Sequence, residues 1–220
     1  VANNLAMRNT LNFLTGYGGG AQGFQGTLAE DGIYYELEVC ERFLAAFFDA
    51  YPSLRKYLAF YKHFIQENAV AVSILGRVRA FEEVYSDDKG LVNKALRAGC
   101  NHLIQATASD MMLICNSVIE SLMREDNLES EIVSTVHDSL VIDFYRPEIE
   151  QVNNIVMDVF TNIPDVLDAW LGDGDIDLSW SRVLPFDGDA EVGANYGDLH
   201  KISRSGNDWD AIFAKMDEKE

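Results

Sequence analysis

Residues 97–110 read RAGCNHLIQATASD, and residues 134–141 read STVHDSLV. The first stretch lies within a span, 91–124, that is apolar on most sides and whose spacing predicts one long helix. Lys94, Arg97, Asn101 and Gln105 fall in a single stripe along it, so the helix is expected to be buried yet to keep a polar seam. The second stretch joins two β-rich runs, Glu131–Val136 and Ser139–Tyr145, through His137 and Asp138. That pattern predicts a hairpin with its polar residues at the turn. A long helix followed by a hairpin tipped with a carboxylate sets the class as α/β of the α+β type, with antiparallel pairing.

Working outward, Leu5, Asn9, Phe13 and Tyr17 recur every fourth position and predict a helix over 5–17 that ends in Gly16, Gly18, Gly19 and Gly20. Apolar residues at helical spacing predict helices over Glu36–Ala50 and Pro52–Asn68, with Tyr51-Pro52 between them. Val70–Phe81 reads as a short hairpin around Gly76, and Ser86–Gly90 as a polar turn. Beyond Pro147 a helix is expected to about Phe160, followed by strand-like segments near Ile176–Ser179 and Ala190–Val192. From Asp198 the chain is polar and acidic, and reads as a loosely packed tail with one amphipathic turn at Trp209, Ile212, Phe213 and Met216. There is no internal repeat.

The chain has 220 residues, 48% of them hydrophobic, enough for a real core. Its apolar runs, such as Met111–Cys115, are too short to span a bilayer, and no signal segment opens the sequence, which points to a soluble cytoplasmic protein without a membrane partner. Cys40, Cys100 and Cys115 are far apart and read as buried free thiols. The net charge of −19 disfavours phosphate contact. Its distribution is uneven, however: acids crowd the last third, while Arg77, Arg79, Lys89, Lys94 and Arg97 cluster in the middle, where DNA would be met. The sequence opens on Val1, which reads as a processed or truncated fragment.

Three separated motifs in order resemble the carboxy-terminal half of family A DNA polymerases, over about Leu5 to Tyr196. LNFLTGYG at 11–18 is similar to the end of the fingers helix that binds the incoming nucleotide. ILGRVR at 74–79 with RAGCNHLIQATASD at 97–110 resembles the glycine-arginine hairpin and the helix along the primer-template. STVHDSLV at 134–141 resembles the palm hairpin whose aspartate binds catalytic metal. EVGANYGDL at 191–199 resembles an ending seen in phage members and favours a phage origin. The resemblance implies the carboxy-terminal portion of a right-hand polymerase, with fingers helices at 1–68, part of the palm at 69–197 and an acidic tail at 198–220.

It also implies template-directed DNA synthesis from deoxynucleoside triphosphates on a primer-template. Such transfer uses two divalent ions, here Mg²⁺, about 3.5–4 Å apart and held by carboxylates. Asp138 is the catalytic, metal-binding carboxylate, and His137 is assigned to the primer-terminus backbone beside it. Phe13, Tyr17 and Gly18 would receive the nucleotide, the aromatic faces accepting any base. Arg97, Asn101 and Gln105 are hydrogen-bond donors suited to the minor-groove acceptors common to all base pairs. Arg77 and Arg79 are candidate phosphate contacts.

The chain departs from the family pattern at Leu5 and Asn9, where an arginine and a lysine serve the triphosphate, and at Ser139, where glutamate is usual. Arg8 is the neighbouring cation, rotated about 100° around the helix from Asn9, and is expected to take the triphosphate contact. The family's other metal-binding aspartate belongs to a segment that would precede Val1, so a second polypeptide or an amino-terminal region is expected to supply it, with the thumb and an exonuclease. The tail's aromatic residues offer a docking peptide for a clamp or helicase. Two rivals stand beside this reading: a catalytically idle DNA-binding or assembly subunit, and a fragment of a single-subunit RNA polymerase.

Overall fold

The structure is a computed structural model that describes residues 10–11, 14–15, 18–172 and 176–217. It divides into two compact units, Val1–Thr107 and Ala108–Glu220. Ten of the 17 Lys and Arg residues but only eleven of the 36 Asp and Glu residues lie in the first unit, so nearly all the excess negative charge belongs to the second.

In the first unit, residues 10–11 and 14–15 are helical, and Gly18 is at φ +70, where a side chain would be strained. The Gly18 and Gly19 amides donate back to the Thr15 and Leu14 carbonyls (3.0 and 2.8 Å), closing the helix end. Helix α1 (Ala21–Glu30) buries Phe24 and Leu28 against Ile33 and Cys40. Helices α2 (Leu37–Ala50) and α3 (Pro52–Asn68) follow, with Pro52 in the first turn of α3, where its missing N–H costs nothing. Strands β1 (Val70–Val72) and β2 (Val78–Ala80) pair antiparallel around Gly76, at φ +87.

The long helix α4 (Lys89–Glu125) begins where the Asp88 carboxylate accepts the Gly90 and Leu91 amides (2.7 and 3.4 Å). The expected turn therefore stops at Asp88 and the helix starts two residues earlier than its apolar pattern. Leu58 and Ile65 of α3 pack with Ala95, Leu96 and Cys100 of α4. Gly99 permits this approach, since a Cβ there would sit 2.6 Å from Ile65 Cδ1. The helix is not buried all round: Ile104 and Leu113 are exposed, as are Arg97 and Gln105.

In the second unit, the later part of α4 buries Ile114, Cys115, Ile119 and Met123. Burial pushes the Cys115 thiol up to about 11, and all three cysteines are free and buried. Strands β3 (Glu131–Val136) and β4 (Ser139–Asp143) form a two-stranded antiparallel sheet, with an extra residue, Val133, between the Ile132 and Ser134 pairings. Helices α5 (Ile149–Thr161) and α6 (Ile163–Leu171) follow.

Ile176–Ser179 was expected to be strand, but the residues before Ser179 are irregular and Ser179–Val183 is a 3₁₀ turn whose Arg182 pairs with Asp165 and Asp168 of α6. The stretch from Asp198 is likewise not a loose tail. Strand β6 (Asp198–Ile202) pairs with β5 (Ala190–Asn195), and helix α7 (Trp209–Asp217) lays Trp209, Ile212, Phe213 and Met216 on a core with Ile149, Val192 and Ile202. Arg146 holds α7 by pairing with Asp217 and lying 5.1 Å over the Phe213 ring.

Candidate nucleotidyl-transfer site

Within the second unit, the β3–β4 hairpin turns through His137 and Asp138 alone. His137 has φ +55, a conformation costly for a non-glycine residue and filled by glycine in an ordinary hairpin turn. Asp138 is exposed at the tip, and the Ser139 hydroxyl donates to the Val136 carbonyl across the turn (2.8 Å). The backbone thus holds a carboxylate out from a braced turn instead of letting it cap one. Strain kept at such a point is the kind that accompanies function.

The base of the same hairpin is stapled by a residue that sequence reasoning missed. The Glu148 carboxylate accepts the Glu129 amide (2.9 and 3.0 Å), the Ser130 amide (3.0 Å) and the Ser130 hydroxyl (2.7 Å). Ser130 Oγ in turn accepts the Tyr145 amide (2.9 Å), so the two ends of the hairpin are tied through one side chain. Asn116 of α4 adds a longer bond to Thr135 of β3 (3.4 Å). No pattern in sequence announces Glu148, because its partners are 18 and 19 residues away.

The Glu129 amide, with help from Ser130, holds the Glu148 carboxyl below its ordinary value. A lowered carboxyl pKa stabilises the fold above the unfolded-state value of about 4.3 and loses that contribution as pH falls through the folded value. The protection factors of the Glu129 and Ser130 amides, measured against their intrinsic exchange rates, should therefore fall as pH drops below the ordinary carboxyl range. In Glu148→Gln the same amides should already exchange faster at neutral pH, with no acid step. Equal protection in the two proteins at pH 7 would refute the staple.

In the first unit, the Arg77 backbone is pinned on both sides: its N–H donates to Ser73 Oγ (3.0 Å), and its carbonyl accepts from the Ser73 N–H (2.9 Å) and His102 Nε2 (3.4 Å). Thr107 Oγ1 accepts the Ile74 amide (3.3 Å), so α4 anchors the hairpin at two places. The Arg77 and Arg79 side chains are exposed, Arg79 resting 5.0 Å over the Phe81 ring. On α4, Arg97 and Gln105 are exposed and Asn101, one turn between them, is half-buried. Asn101 Oδ1 is shut off from solvent and finds no partner among the described residues.

His102 and Thr107 are further residues that the motif reading passed over. Arg8, Asn9, Phe13 and Tyr17 lie outside the described residues. Gly18 lies within them, its carbonyl accepting from Lys62 Nζ (3.3 Å). Among the described residues no group of three or more His, Cys, Asp or Glu side chains is gathered to hold a metal ion. Asp138 offers the hard oxygen donor that a cation such as Mg²⁺ takes, as one ligand of a set that needs more carboxylates than these residues bring together. No helix among the described residues is long and apolar enough to cross a membrane.

The model of DNA polymerase family A matches residues 6–196. The DNA polymerase of Bacillus phage SP01 is 29% identical over 91% of this chain and 21% of that protein. DNA polymerase I of Caldicellulosiruptor bescii is 30% identical over 52% of this chain and 13% of its own length, and the DNA polymerase of Escherichia phage T5 is 29% identical over 53% and 14%. The chain thus spans about a fifth or less of the curated relatives it matches. Among solved structures, the polymerase domain of Pol1 from M. smegmatis, in complex with DNA primer-template and dNTP, shares the fold with a TM-score of 0.64. That match is 22% identical and covers 71% of this chain and 27% of that one.

Proposed function

This chain belongs to DNA polymerase family A, and from that premise we propose that it contributes one metal-binding carboxylate and the primer-template helix to template-directed DNA synthesis from deoxynucleoside triphosphates. The observation that carries the reading is the two-residue turn that holds Asp138 exposed beside a strained His137. Mg²⁺ ions, shared between Asp138 and a carboxylate from outside these residues, would activate the primer 3′ oxygen and neutralise the triphosphate. His137 meets the primer-terminus backbone. Arg97, Asn101 and Gln105 probe the minor groove, and Arg77 and Arg79 meet phosphates. Arg8, Asn9, Phe13, Tyr17 and Gly18 receive the nucleotide. In this assignment residues 1–68 serve as fingers and 69–197 as palm.

The β3–β4 hairpin forms a sheet of its own among the described residues, and a lone pair of strands is marginally stable in water. That supports a third strand, carrying the second carboxylate, supplied by a further segment or a second polypeptide that also brings the thumb. The work would be done in the cytoplasm, that of a bacterial host for a phage-encoded protein. The helix α7 packing leaves less of the tail's aromatic surface for a clamp or helicase than a loose peptide would offer.

The test is primer extension with a recessed primer-template. The 220-residue chain mixed with a polypeptide bearing an upstream family A strand motif should extend the primer with deoxynucleotides and not ribonucleotides. The chain by itself should not extend it. Extension by the chain alone would rule out the shared site, and efficient ribonucleotide incorporation would favour an RNA polymerase.

A further inference from the structure

Along α3, Lys56, Phe60 and His63 follow at four- and three-residue steps and so share one face. All three are exposed, Phe60 to 61% of its surface, while Leu58 and Ile65 hold the opposite side in the core. Phe60 is braced, lying edge-on to Tyr61 at 5.2 Å and nearly parallel to Phe64 at 6.5 Å. Arg55 is exposed beside this face, 5.4 Å over the Phe48 ring. In a chain of net charge −19, α3 carries Arg55, Lys56 and Lys62 against one acid, Glu67, which lies 3.3 Å from His63. Lys62 is engaged with the Gly18 carbonyl, which leaves Arg55 and Lys56 as the outward cations.

We propose that this face of α3 binds single-stranded DNA, and specifically the unpaired template strand of a primer-template; the identity of the strand rests on the polymerase reading above. Exposed aromatic rings interleaved with cations match single-stranded nucleic acid, whose bases stack on a ring whatever the sequence while phosphates meet the charges. Duplex DNA offers phosphates only, because its bases already stack on one another. The face from Lys56 to His63 is about 10 Å long, enough for a short run of nucleotides and too short to fix a duplex.

The experiment measures binding of the full chain to three probes: an oligo(dT), a primer-template with a long template overhang, and a blunt duplex. Phe60→Ala and Phe60→Leu, the second keeping apolar bulk without a π-face, should each weaken oligo(dT) binding about tenfold and Phe60→Trp should restore it. Lys56→Ala should lower the slope of log affinity against log salt by about 0.7. Blunt-duplex binding should be unchanged by all four. Unaltered oligo(dT) affinity and slope in the variants, or equal losses on the blunt duplex, would overturn the surface while leaving the polymerase reading in place. Failure of the unmodified chain to bind any of the three probes would overturn both.

Discussion

Asp138→Ala should reduce nucleotide incorporation by the assembled polymerase at least about 10³-fold, or about 4 kcal/mol of barrier, with primer-template affinity nearly unchanged. The size follows from the role. A carboxylate that holds a cation against the reacting oxygens acts mainly in the transition state, so its loss falls on kcat and not on DNA binding. The side chain is exposed and the turn is held by Ser139 and by the Glu148 staple at its base, so alanine at 138 should leave the fold intact. Circular dichroism and thermal melting would verify this. Asp138→Asn, which keeps shape and loses charge, should be nearly as inactive as alanine. Undiminished synthesis with Asp138→Ala would instead favour the idle DNA-binding or assembly subunit.

The elements that carry this prediction were legible because their determinants are local. Gly76 and the His137-Asp138 pair mark hairpin turns, and Pro52 and the apolar spacing mark α3 and α4. What was not legible depends on distant or diluted signals. Helix α1 holds Gly23 and Gly26, which lower helix propensity, and only burial of Phe24 and Leu28 reveals its inner face. Strand β6 reads DLHKI, charged enough to pass for a tail, yet Ile202 turns inward once β5 lies alongside. Gly193 makes that pairing possible, since a Cβ there would lie 2.0 Å from the Asp198 carbonyl oxygen. At the proposed site, Asp138 stands in a motif that sequence alone displays, whereas Glu148 and His102 act through partners 18 to 25 residues away and left no trace in spacing.

Asn101→Leu should do two opposite things: raise the melting temperature of the chain, by about 1 kcal/mol of stability, and weaken primer-template binding at least about tenfold. The first half rests on a buried acceptor without a partner. Shutting an amide oxygen away from water unpaired costs about 1–3 kcal/mol, which an apolar side chain of similar volume does not incur. A helix of 37 residues that tolerates such a cost keeps the side chain for what its other amide atom, the Nδ2 donor, can do. The second half follows from the neighbours. Arg97 and Gln105 lie one turn to either side and face water, so Asn101 occupies the middle of a row of donors, where its Nδ2 amide would donate to a minor-groove acceptor while Oδ1 stays turned inward. Thermal melting of the free protein and titration with a primer-template duplex separate the two effects. If leucine lowered the melting temperature while leaving the affinity unchanged, Asn101 would be an ordinary core residue, and the polar row on α4 would lose its centre.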